Sequence, residues 1–336
     1  MSTTASAESP ASSIPVFTTI QAYRQWRQAA FDGKHTVGFV PTMGALHDGH
    51  LSLVQRSLAA NDLTVVSIFV NPAQFAPHED LATYPRTLPT DLEQLSRLAH
   101  PAPHRTPSAV FVPAVSDMYP SGITQDVANQ KGTFVEVKGY GEQMEGRSRP
   151  TFFRGVATVV TKLFNIIQPT NAYFGQKDIQ QGLLLRRLVG DLHLAHPTPA
   201  HLHIVPTARD PSTGLALSSR NAYLTPPERA RAPAVYAALR AAATQWHSGH
   251  SKAHSLAAAL GVLEAAAQDG GSEGVQMRVD YVEMNDPETL DIVPDGDTMA
   301  SRESKPAILS AAVWIGRTRL IDNLILGDSG SILPMQ

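Results

Sequence analysis

Hydrophobic and polar positions follow two alternating patterns over the first two thirds of the chain. Short apolar runs rich in β-branched and aromatic residues predict buried strands, and apolar residues three or four positions apart predict amphipathic helices. The predicted strands are residues 36–41, 63–70, 108–113, 171–175 and 201–207. The predicted helices are residues 18–31, 49–61, 90–99, 155–169 and 179–192. This alternation is typical of an α/β fold, in which helices cover both faces of a parallel sheet.

The pattern changes near residue 223. Alanine-rich helices are predicted over residues 227–268, and strand-like segments follow at 275–284 and 306–326. Together they indicate a small α+β domain over residues 223–330, which leaves residues 17–222 for the α/β domain. Two segments are expected to lie outside the packed domains: the Ser/Thr/Ala-rich residues 1–16, as a disordered tail, and the proline-rich residues 99–107, as an exposed insertion.

Composition removes several classes of function. The chain has 336 residues, 43% hydrophobic and 17% charged, with a formal net charge of −3. This balance provides no electrostatic footprint for nucleic acid or an anionic membrane. The absence of cysteine excludes disulfides and thiolate metal sites. No apolar run approaches the roughly 18 residues of a membrane span, and no targeting signal is recognisable, so the expected location is cytoplasmic.

A turn with two histidines follows the first predicted strand, in the sequence VPTMGALHDGHLSLV. Unpaired N–H groups at a helix start carry partial positive charge, and Gly44 and Gly49 let the backbone approach a ligand closely. His47 and His50 are three residues apart and share one face of the opening turn. The pattern predicts a seat for a polyphosphate. The alternatives are a structural turn whose histidines bond to the backbone and, less favoured, a zinc site completed from elsewhere.

Polar residues also follow two later strands. Asn71 and Gln74 in FVNPAQF lie where open α/β sheets bind ligands, and amides suit a substrate that carries hydroxyl and carboxylate groups. The alternative is an Asx-type turn before Pro72. In YFGQKDIQQG, Lys177 is placed to reach a phosphate. Asp178 is a candidate for a ribose hydroxyl or a metal ion, or simply for a helix cap.

Hydroxyls and arginines complete the candidates. Ser218, Ser219 and Arg220 in LALSSRNAYL lie in an irregular segment between the domains. They indicate a mobile loop that closes over phosphates, although solvated loops of this composition are common. The segment EGRSRPTFFRGV adds three arginines that either bind an anionic substrate or are solvated, namely Arg147, Arg149 and Arg154.

Taken together, these segments resemble the pantothenate synthetase family, the pantoate–β-alanine ligases of the HIGH-motif nucleotidyltransferase superfamily. The resemblance spans residues 18–326 and runs in order through VPTMGALHDGH, SIFVNPAQF, YPRTLPTD, YFGQKDIQQ, LALSSRNAYL and AAVWIGRTRLIDN. The first block and LALSSRNAYL alone would indicate only the superfamily. The Asn-Pro-x-Gln and Lys-Asp-x-x-Gln blocks make the resemblance specific.

The resemblance implies a Rossmann-like domain for ATP and pantoate, a C-terminal lid domain and a homodimer. It also implies a two-step amide synthesis. The pantoate carboxylate first attacks the α-phosphorus of ATP, which gives pantoyl adenylate and pyrophosphate. The β-alanine amine then attacks the acyl carbon and releases AMP and pantothenate. Mg²⁺ is expected to accompany ATP, bound through its phosphates, and the first step chiefly needs neutralisation of the triphosphate charge.

Site residues follow from the same resemblance. The ATP-binding residues are Met43, Gly44, Ala45, Leu46, His47, Asp48, Gly49, His50, Gly175, Gln176, Lys177, Asp178, Leu217, Ser218, Ser219 and Arg220. The residues expected to carry catalysis are His47, His50, Lys177, Ser218, Ser219 and Arg220, with His50 as proton donor. Gln74 and Gln181 are expected to bind pantoate, with Gln74 also near β-alanine. Asn71 and Arg149 are expected to help shape this part of the site.

Two departures from the family pattern affect these expectations. Phe152 stands where the family usually has a histidine, and Gln176 replaces a common glutamate near the phosphates. Two other functions remain open. An adenylyltransferase that makes a dinucleotide would use His47 and His50 equally well but would leave Gln74 and Gln181 without a role. A nucleotide-binding regulator without turnover is the alternative outside enzymes.

Overall fold

The computed structural model describes residues 14–98, 105–272 and 274–333. Its helices are α1 (Ile20–Asp32), α2 (Asp48–Ala60), α3 (Leu88–Arg97), α4 (Val115–Met118), α5 (Glu145–Ser148), α6 (Phe152–Ile167), α7 (Ile179–Asp191), α8 (Pro226–Arg231), α9 (Ala234–His247) and α10 (Lys252–Ser272). Its strands are β1 (Val16–Phe17), β2 (Val37–Thr42), β3 (Leu63–Ile68), β4 (Ala109–Phe111), β5 (Asn171–Gly175), β6 (Leu202–Val205), β7 (Met277–Asn285), β8 (Ala307–Ile315) and β9 (Thr318–Leu326).

The first six of these strands form a parallel sheet in the order β1-β4-β3-β2-β5-β6. From β2 the chain builds outward through β3 and β4, and then crosses to β5 on the other side of β2. The strand order therefore reverses between β2 and β5. Open α/β sheets bind ligands beyond the carboxyl ends of the strands at such a point. The predicted α/β class is confirmed.

Helices cover both faces of this sheet because successive strand residues point to opposite sides. Phe39 and Val65 pack in one core with residues of α1, α6 and α7. Val40 and Val66 pack in a second core with residues of α2 and α3. Gly38 allows α2 to lie close to β2, since a Cβ at this position would come within 2.1 Å of the Ser57 hydroxyl. The helix that carries the two histidines is thereby held against the central strand.

Residues after 223 build a second unit. Strands β7, β8 and β9 form an antiparallel sheet, and α9 and α10 pack against it around a separate core that includes Trp246 and Leu309. Leu215 belongs to this core as well. Ile332, beyond the predicted domain end at residue 330, returns to the first core.

The two segments predicted to be unpacked are only partly described. Val16, which the sequence analysis places in the tail, pairs with Val110 of β4 instead. Residues 1–13 of the predicted tail and residues 99–104 of the predicted insertion lie outside the described residues. Among the helices that the structure does describe, none combines the length and apolar character that a membrane crossing requires.

Candidate active site

A cleft of about 850 Å³ opens at the point where the strand order reverses. Its floor includes Thr42 at the end of β2 and Gly175 at the end of β5. Its opposite wall is the β7–β9 sheet, which contributes Arg278, Trp314 and Arg319. The two units of the chain therefore enclose the cleft between them.

The turn before α2 is held by an acid from α3. Gly44 and Ala45 adopt positive φ angles of 83° and 49°. Contacts with α3 hold this part of the backbone in place. The buried carboxylate of Asp91 accepts the backbone N–H groups of Ala45 at 3.1 Å and Leu46 at 2.8 Å. A Cβ at position 44 would come within 3.1 Å of the same carboxylate. No role for Asp91 is predicted from the sequence, although it lies at the start of a predicted helix.

His47 caps the start of α2. Its Nδ1 atom accepts the N–H group of Gly49 at 3.1 Å, so the interpretation as a backbone-bonded turn is right for this nitrogen. A neutral His47 therefore carries its proton on Nε2. Burial, assisted by the nearby Lys177 charge, lowers the pKa of His47 to about 4. The ring still lines the cleft and can donate from Nε2.

His50 lies against His47, with 4.1 Å between the ring centroids. Burial, together with the neighbouring His47 and Lys177, lowers the pKa of His50 to about 3. Both imidazoles are therefore neutral near pH 7. The buried Nδ1 atom of His50 has no hydrogen-bond partner within the described part of the chain. Buried polar atoms are normally paired, so this nitrogen marks a place where a ligand group would be stabilised.

Two distant segments meet this turn. Lys177 lines the cleft with its Nζ atom 3.3 Å from the carboxylate of Asp178, and its charge reaches both histidines. Asp178 precedes α7 but makes no side-chain cap hydrogen bond, so the capping alternative is wrong. The hydroxyl of Ser219 donates to the Ala45 carbonyl at 3.1 Å, and this contact joins the loop around Ser218 to the turn before α2.

The loop around Ser218 is also anchored on its far side. Ser218 accepts the N–H group of Arg220 at 3.3 Å, and the Arg220 guanidinium lies 3.2 Å from the carboxylate of Asp80. Desolvation opposes the charge on Arg220, but the neighbouring Asp80 outweighs it and the pKa of Arg220 is raised. Arg220 is therefore a fixed cation at the rim of the cleft.

Most of the predicted ATP-site residues line the cleft, and the structure brings together Met43, His47, Gly49, His50, Gly175, Lys177, Asp178, Leu217, Ser218, Ser219 and Arg220. The other five do not line it: Gly44, Ala45, Leu46, Asp48 and Gln176. The first three form the turn that Asp91 holds, and Asp48 is exposed on the first turn of α2. Gln176 is buried and bonded to Asn323, so it supports the site from behind.

Strand β9 holds the turn that carries Lys177. The Asn323 side chain donates to the carbonyls of Gln176 at 2.8 Å and Lys177 at 2.9 Å. The neighbouring Asp322 is buried and pairs with both terminal nitrogens of Arg209. Asp322 and Asn323 belong to the AAVWIGRTRLIDN block, yet no role for them is predicted from the sequence. Their function depends on contacts that only the folded chain makes.

Asn71 and Gln74 line the same cleft from the segment that follows β3. Asn71 caps the single 3₁₀ turn Pro72–Gln74 and accepts the N–H group of Ala73, so the predicted Asx-type turn is present. The strand predicted to reach residue 70 ends at Ile68, before this turn. Asn71 also donates to the Gln74 side-chain oxygen at 3.0 Å. Asn71, Gln74 and Gln181 all line the cleft, but Asn71 is buried and both ends of its amide are bonded within the protein.

Arg149 is the only one of the three candidate arginines that lines the cleft in the described structure. It binds the Glu79 carboxylate through two nitrogens, at 2.6 and 2.8 Å, and the Gln74 carbonyl at 3.1 Å. Its guanidinium lies 3.9 Å from the centroid of the Phe152 ring. The phenylalanine that replaces the usual histidine therefore supplies a stacking surface for Arg149. Arg147 and Arg154 instead pair with acids away from the cleft.

Ion pairs join the two units beside the cleft. Arg319 of β9 contacts Glu145 of α5 at 2.6 Å and Asp280 of β7 at 2.7 Å. Ser148 donates to the same Asp280 carboxylate at 2.9 Å. Because these groups are largely shielded from solvent, they are screened less than surface ion pairs. The contacts fix the second sheet against α5.

Metal ligands are sparse. Among the described residues, no group of three or more histidine or acidic side chains could hold a metal ion, so the predicted alternative of a zinc site finds no support. Asp178 is the carboxylate beside Lys177 in the cleft. One carboxylate fits a magnesium ion whose remaining ligands are phosphate oxygens and water.

Comparison with known proteins agrees with this arrangement. Residues 15–325 match the family model described as pantoate-beta-alanine ligase. The pantothenate synthetase of Herpetosiphon aurantiacus is 44% identical over 317 residues, which cover 93% of this chain and 100% of that protein. The crystal structure of pantothenate synthetase from Thermus thermophilus has a TM-score of 0.75 at 39% identity and covers 95% of this chain and 100% of that one.

A further solved structure is that of pantoate-beta-alanine ligase from Francisella tularensis, complexed with beta-gamma ATP and beta-alanine. It has a TM-score of 0.68 at 31% identity and covers 93% of this chain and 97% of that one. The family match spans both units and every segment that lines the cleft. The chain therefore belongs to the pantoate–β-alanine ligase family.

Proposed function

We propose that this chain condenses pantoate with β-alanine at the expense of ATP, through a pantoyl adenylate, and releases AMP and pyrophosphate. The observation that carries the proposal is the convergence of His47, His50, Lys177 and the Ser218–Arg220 loop on one cleft that also contains Gln74 and Gln181. Cationic groups, N–H donors and side-chain amides therefore line one cleft. This arrangement suits a triphosphate beside a hydroxy acid.

The adenylation step follows from these groups. A carboxylate attacking the α-phosphorus generates extra charge on the phosphate oxygens, and positioned donors stabilise that charge most effectively where water is excluded. Neutral His47 donates from Nε2, and Lys177 and Arg220 supply positive charge. Because burial keeps His50 neutral, it donates a hydrogen bond from its ring N–H group to the reacting phosphate rather than a proton. Asp178 would offer a carboxylate toward a magnesium ion carried by ATP, and such an ion would neutralise further phosphate charge.

The acid and amine occupy the part of the cleft lined by Asn71, Gln74, Arg149 and Gln181, which we call the acid side. Gln74 and Gln181 bind pantoate, Gln74 also lies near β-alanine, and Arg149 and Asn71 shape the pocket. The β7–β9 sheet acts as a lid that excludes water from the acyl adenylate, held in place by the Arg319 ion pairs. We further propose residues 17–222 and 223–330 as the two functional domains, a homodimer as the assembly and the cytoplasm as the location.

Pyrophosphate exchange tests the proposal. Labelled pyrophosphate should enter ATP when pantoate and Mg²⁺ are present and β-alanine is absent, because adenylation is reversible. Addition of β-alanine should then release AMP and pantothenate in equal amounts. Exchange that requires nicotinamide mononucleotide or phosphopantetheine would indicate the dinucleotide-forming alternative. The absence of exchange with any acid would favour a regulator.

A further inference from the structure

A buried tyrosine lies behind the amides on the acid side. Tyr119 follows α4, and its hydroxyl donates to the Asn71 side-chain oxygen at 2.6 Å. Its ring is buried beneath Lys162, whose Nζ atom lies 3.9 Å from the ring centroid and donates to the Met118 carbonyl. Burial raises the pKa of Tyr119 well above its ordinary value, so the hydroxyl keeps its proton. Tyr119 does not line the cleft.

Backbone groups determine which way the Asn71 amide points. Its oxygen accepts the N–H group of Ala73 at 3.3 Å, and its nitrogen donates to the Gly155 carbonyl at 3.2 Å. A backbone N–H can only donate and a carbonyl can only accept. If the amide were rotated by 180°, its NH₂ group would face the Ala73 N–H donor and its oxygen would face the Gly155 carbonyl oxygen. The Tyr119 hydroxyl, as a second donor to the oxygen, stabilises the same orientation.

The orientation of the Asn71 amide also determines the orientation of the Gln74 amide. The second hydrogen of the Asn71 nitrogen is donated to the Gln74 side-chain oxygen at 3.0 Å. The oxygen of Gln74 is thereby engaged behind the cleft surface. The Gln74 nitrogen remains, and it lies 3.1 Å from the Met43 sulfur, which is a weak acceptor. A substrate oxygen is a better partner for this donor than a thioether.

We propose that Tyr119 is a positioning residue that acts through Asn71 to fix the Gln74 amide with its N–H group toward the substrate. The site therefore selects an acid that presents an acceptor oxygen at this point and disfavours one that presents a donor. The inference rests on the proposed function, because pantoate is the substrate used to measure it. Beyond that function, we assign a role to Tyr119, which touches no substrate, and a donor-to-acceptor direction to the hydrogen bond from Gln74 to pantoate.

A double-mutant cycle in pyrophosphate exchange tests this role. Tyr119→Phe removes only the hydroxyl and should raise the KM for pantoate by roughly 3- to 10-fold, the scale of one lost hydrogen bond, while the KM for ATP stays unchanged. In a Gln74→Ala background the same substitution should have no further effect on pantoate. If Tyr119→Phe raised the KM for pantoate by the same factor in the wild-type and Gln74→Ala enzymes, Tyr119 would not act through Gln74. That result would overturn the proposal.

A second variant tests the direction of the bond without touching Tyr119. Gln74→Glu keeps an oxygen that accepts from Asn71 but replaces the outward donor with an anionic acceptor. Its KM for pantoate should exceed that of Gln74→Ala. A Gln74→Glu enzyme that uses pantoate as well as the wild type would overturn the assigned orientation.

A matched control is available in Tyr23. Like Tyr119, this tyrosine is buried and does not line the cleft, but its hydroxyl donates to the Ile167 carbonyl at the end of α6 and not to Asn71. Tyr23→Phe should leave the KM for pantoate unchanged, and a rise equal to that of Tyr119→Phe would overturn the proposal. A wild-type chain without pantoate-dependent exchange would reject the proposed function itself. Wild-type exchange with an additive cycle would reject only the role of Tyr119.

Discussion

The acid side of the cleft differs from the nucleotide side in how far its polar groups are satisfied. The nucleotide side is the part lined by His47, His50, Lys177 and the Ser218–Arg220 loop. On the acid side, Asn71 uses its whole amide within the protein, and Arg149 is paired with Glu79. On the nucleotide side, the His50 Nδ1 atom has no partner in the described residues, and Lys177 has only a 3.3 Å contact with its neighbour Asp178. Both sides are built at the ends of strands in one sheet, so the difference lies in their side chains.

This contrast indicates two ways of preparing a site. The acid side is preorganised, so a small acid can be bound without ordering new side chains. The nucleotide side keeps side-chain groups that an incoming polyanion can satisfy, and its loops are held by Asp91, Asp80 and Asn323. Substitutions on the two sides should therefore affect different substrates and different kinetic constants.

The largest effect is expected from His50→Ala. Loss of a positioned donor at the reacting phosphate should lower the rate of pantoate-dependent pyrophosphate exchange by about 10²-fold or more. The circular dichroism spectrum should stay that of the wild type. A full exchange rate in this variant would show that His50 takes no part in adenylation, and it would contradict the role given to the nucleotide side.

Gly155→Ala should damage the acid side in particular. A Cβ at this position would lie 2.2 Å from the Ala73 carbonyl oxygen, so α6 and the Asn71–Gln74 turn would have to separate. The free energy of unfolding should fall by about 1–3 kcal/mol, and the KM for pantoate should rise more than the KM for ATP. Gly261→Ala is the control, since a Cβ there meets open space on α10. Equal changes in both KM values would contradict the separation of the two sides.

Asn323→Ala should have a smaller effect, on the nucleotide side. It removes the donor to the Gln176 and Lys177 carbonyls, and buried carbonyls left unpaired cost about 1–3 kcal/mol. The Lys177 turn should loosen, so the KM for ATP should rise several-fold while the KM for pantoate changes little. Steady-state kinetics with each substrate varied in turn measures both. A selective effect on pantoate would contradict this assignment.

The smallest effect concerns the pH dependence of stability. His47 and His50 have folded-state pKa values of about 4 and about 3, below the ordinary 6.5 that applies to the unfolded chain. Between these values the unfolded chain binds more protons, so the free energy of unfolding falls as the pH decreases from 6.5 toward 4. His50→Gln should reduce this loss between pH 7 and pH 4.5, measured by urea unfolding. Gln74→Ala should leave it unchanged.

The fold was predictable because it depends on local patterns. Strand β5 has the predicted bounds, residues 171–175, and helices cover both sheet faces as the alternation of strands and helices indicates. Strand β3 was predicted two residues too long, since the apolar residues Phe69 and Val70 continue the pattern after the ladder has ended at Ile68. Hydrophobicity alone does not distinguish a strand residue from a buried residue beside it.

The site was only half predictable, for a physical reason. Residues that face the cleft belong to short segments with recognisable chemistry, such as His47, His50 and Lys177. Residues that hold them act across long separations: Asp91 binds Leu46 from 45 positions away, and Asn323 binds Gln176 from 147 positions away. Sequence spacing carries no signal for such partners. The stacking of Arg149 on Phe152 likewise became visible only in the structure.

The most direct test of the central claim is a crystal structure of the protein with a non-hydrolysable ATP analogue and Mg²⁺. We expect phosphate oxygens within about 3 Å of a His50 ring nitrogen, of the Lys177 Nζ atom and of donors in the Ser218–Arg220 loop, with Asn71 and Gln74 unmoved. Phosphates bound at Arg149 instead, with His50 left without a ligand contact, would contradict that claim.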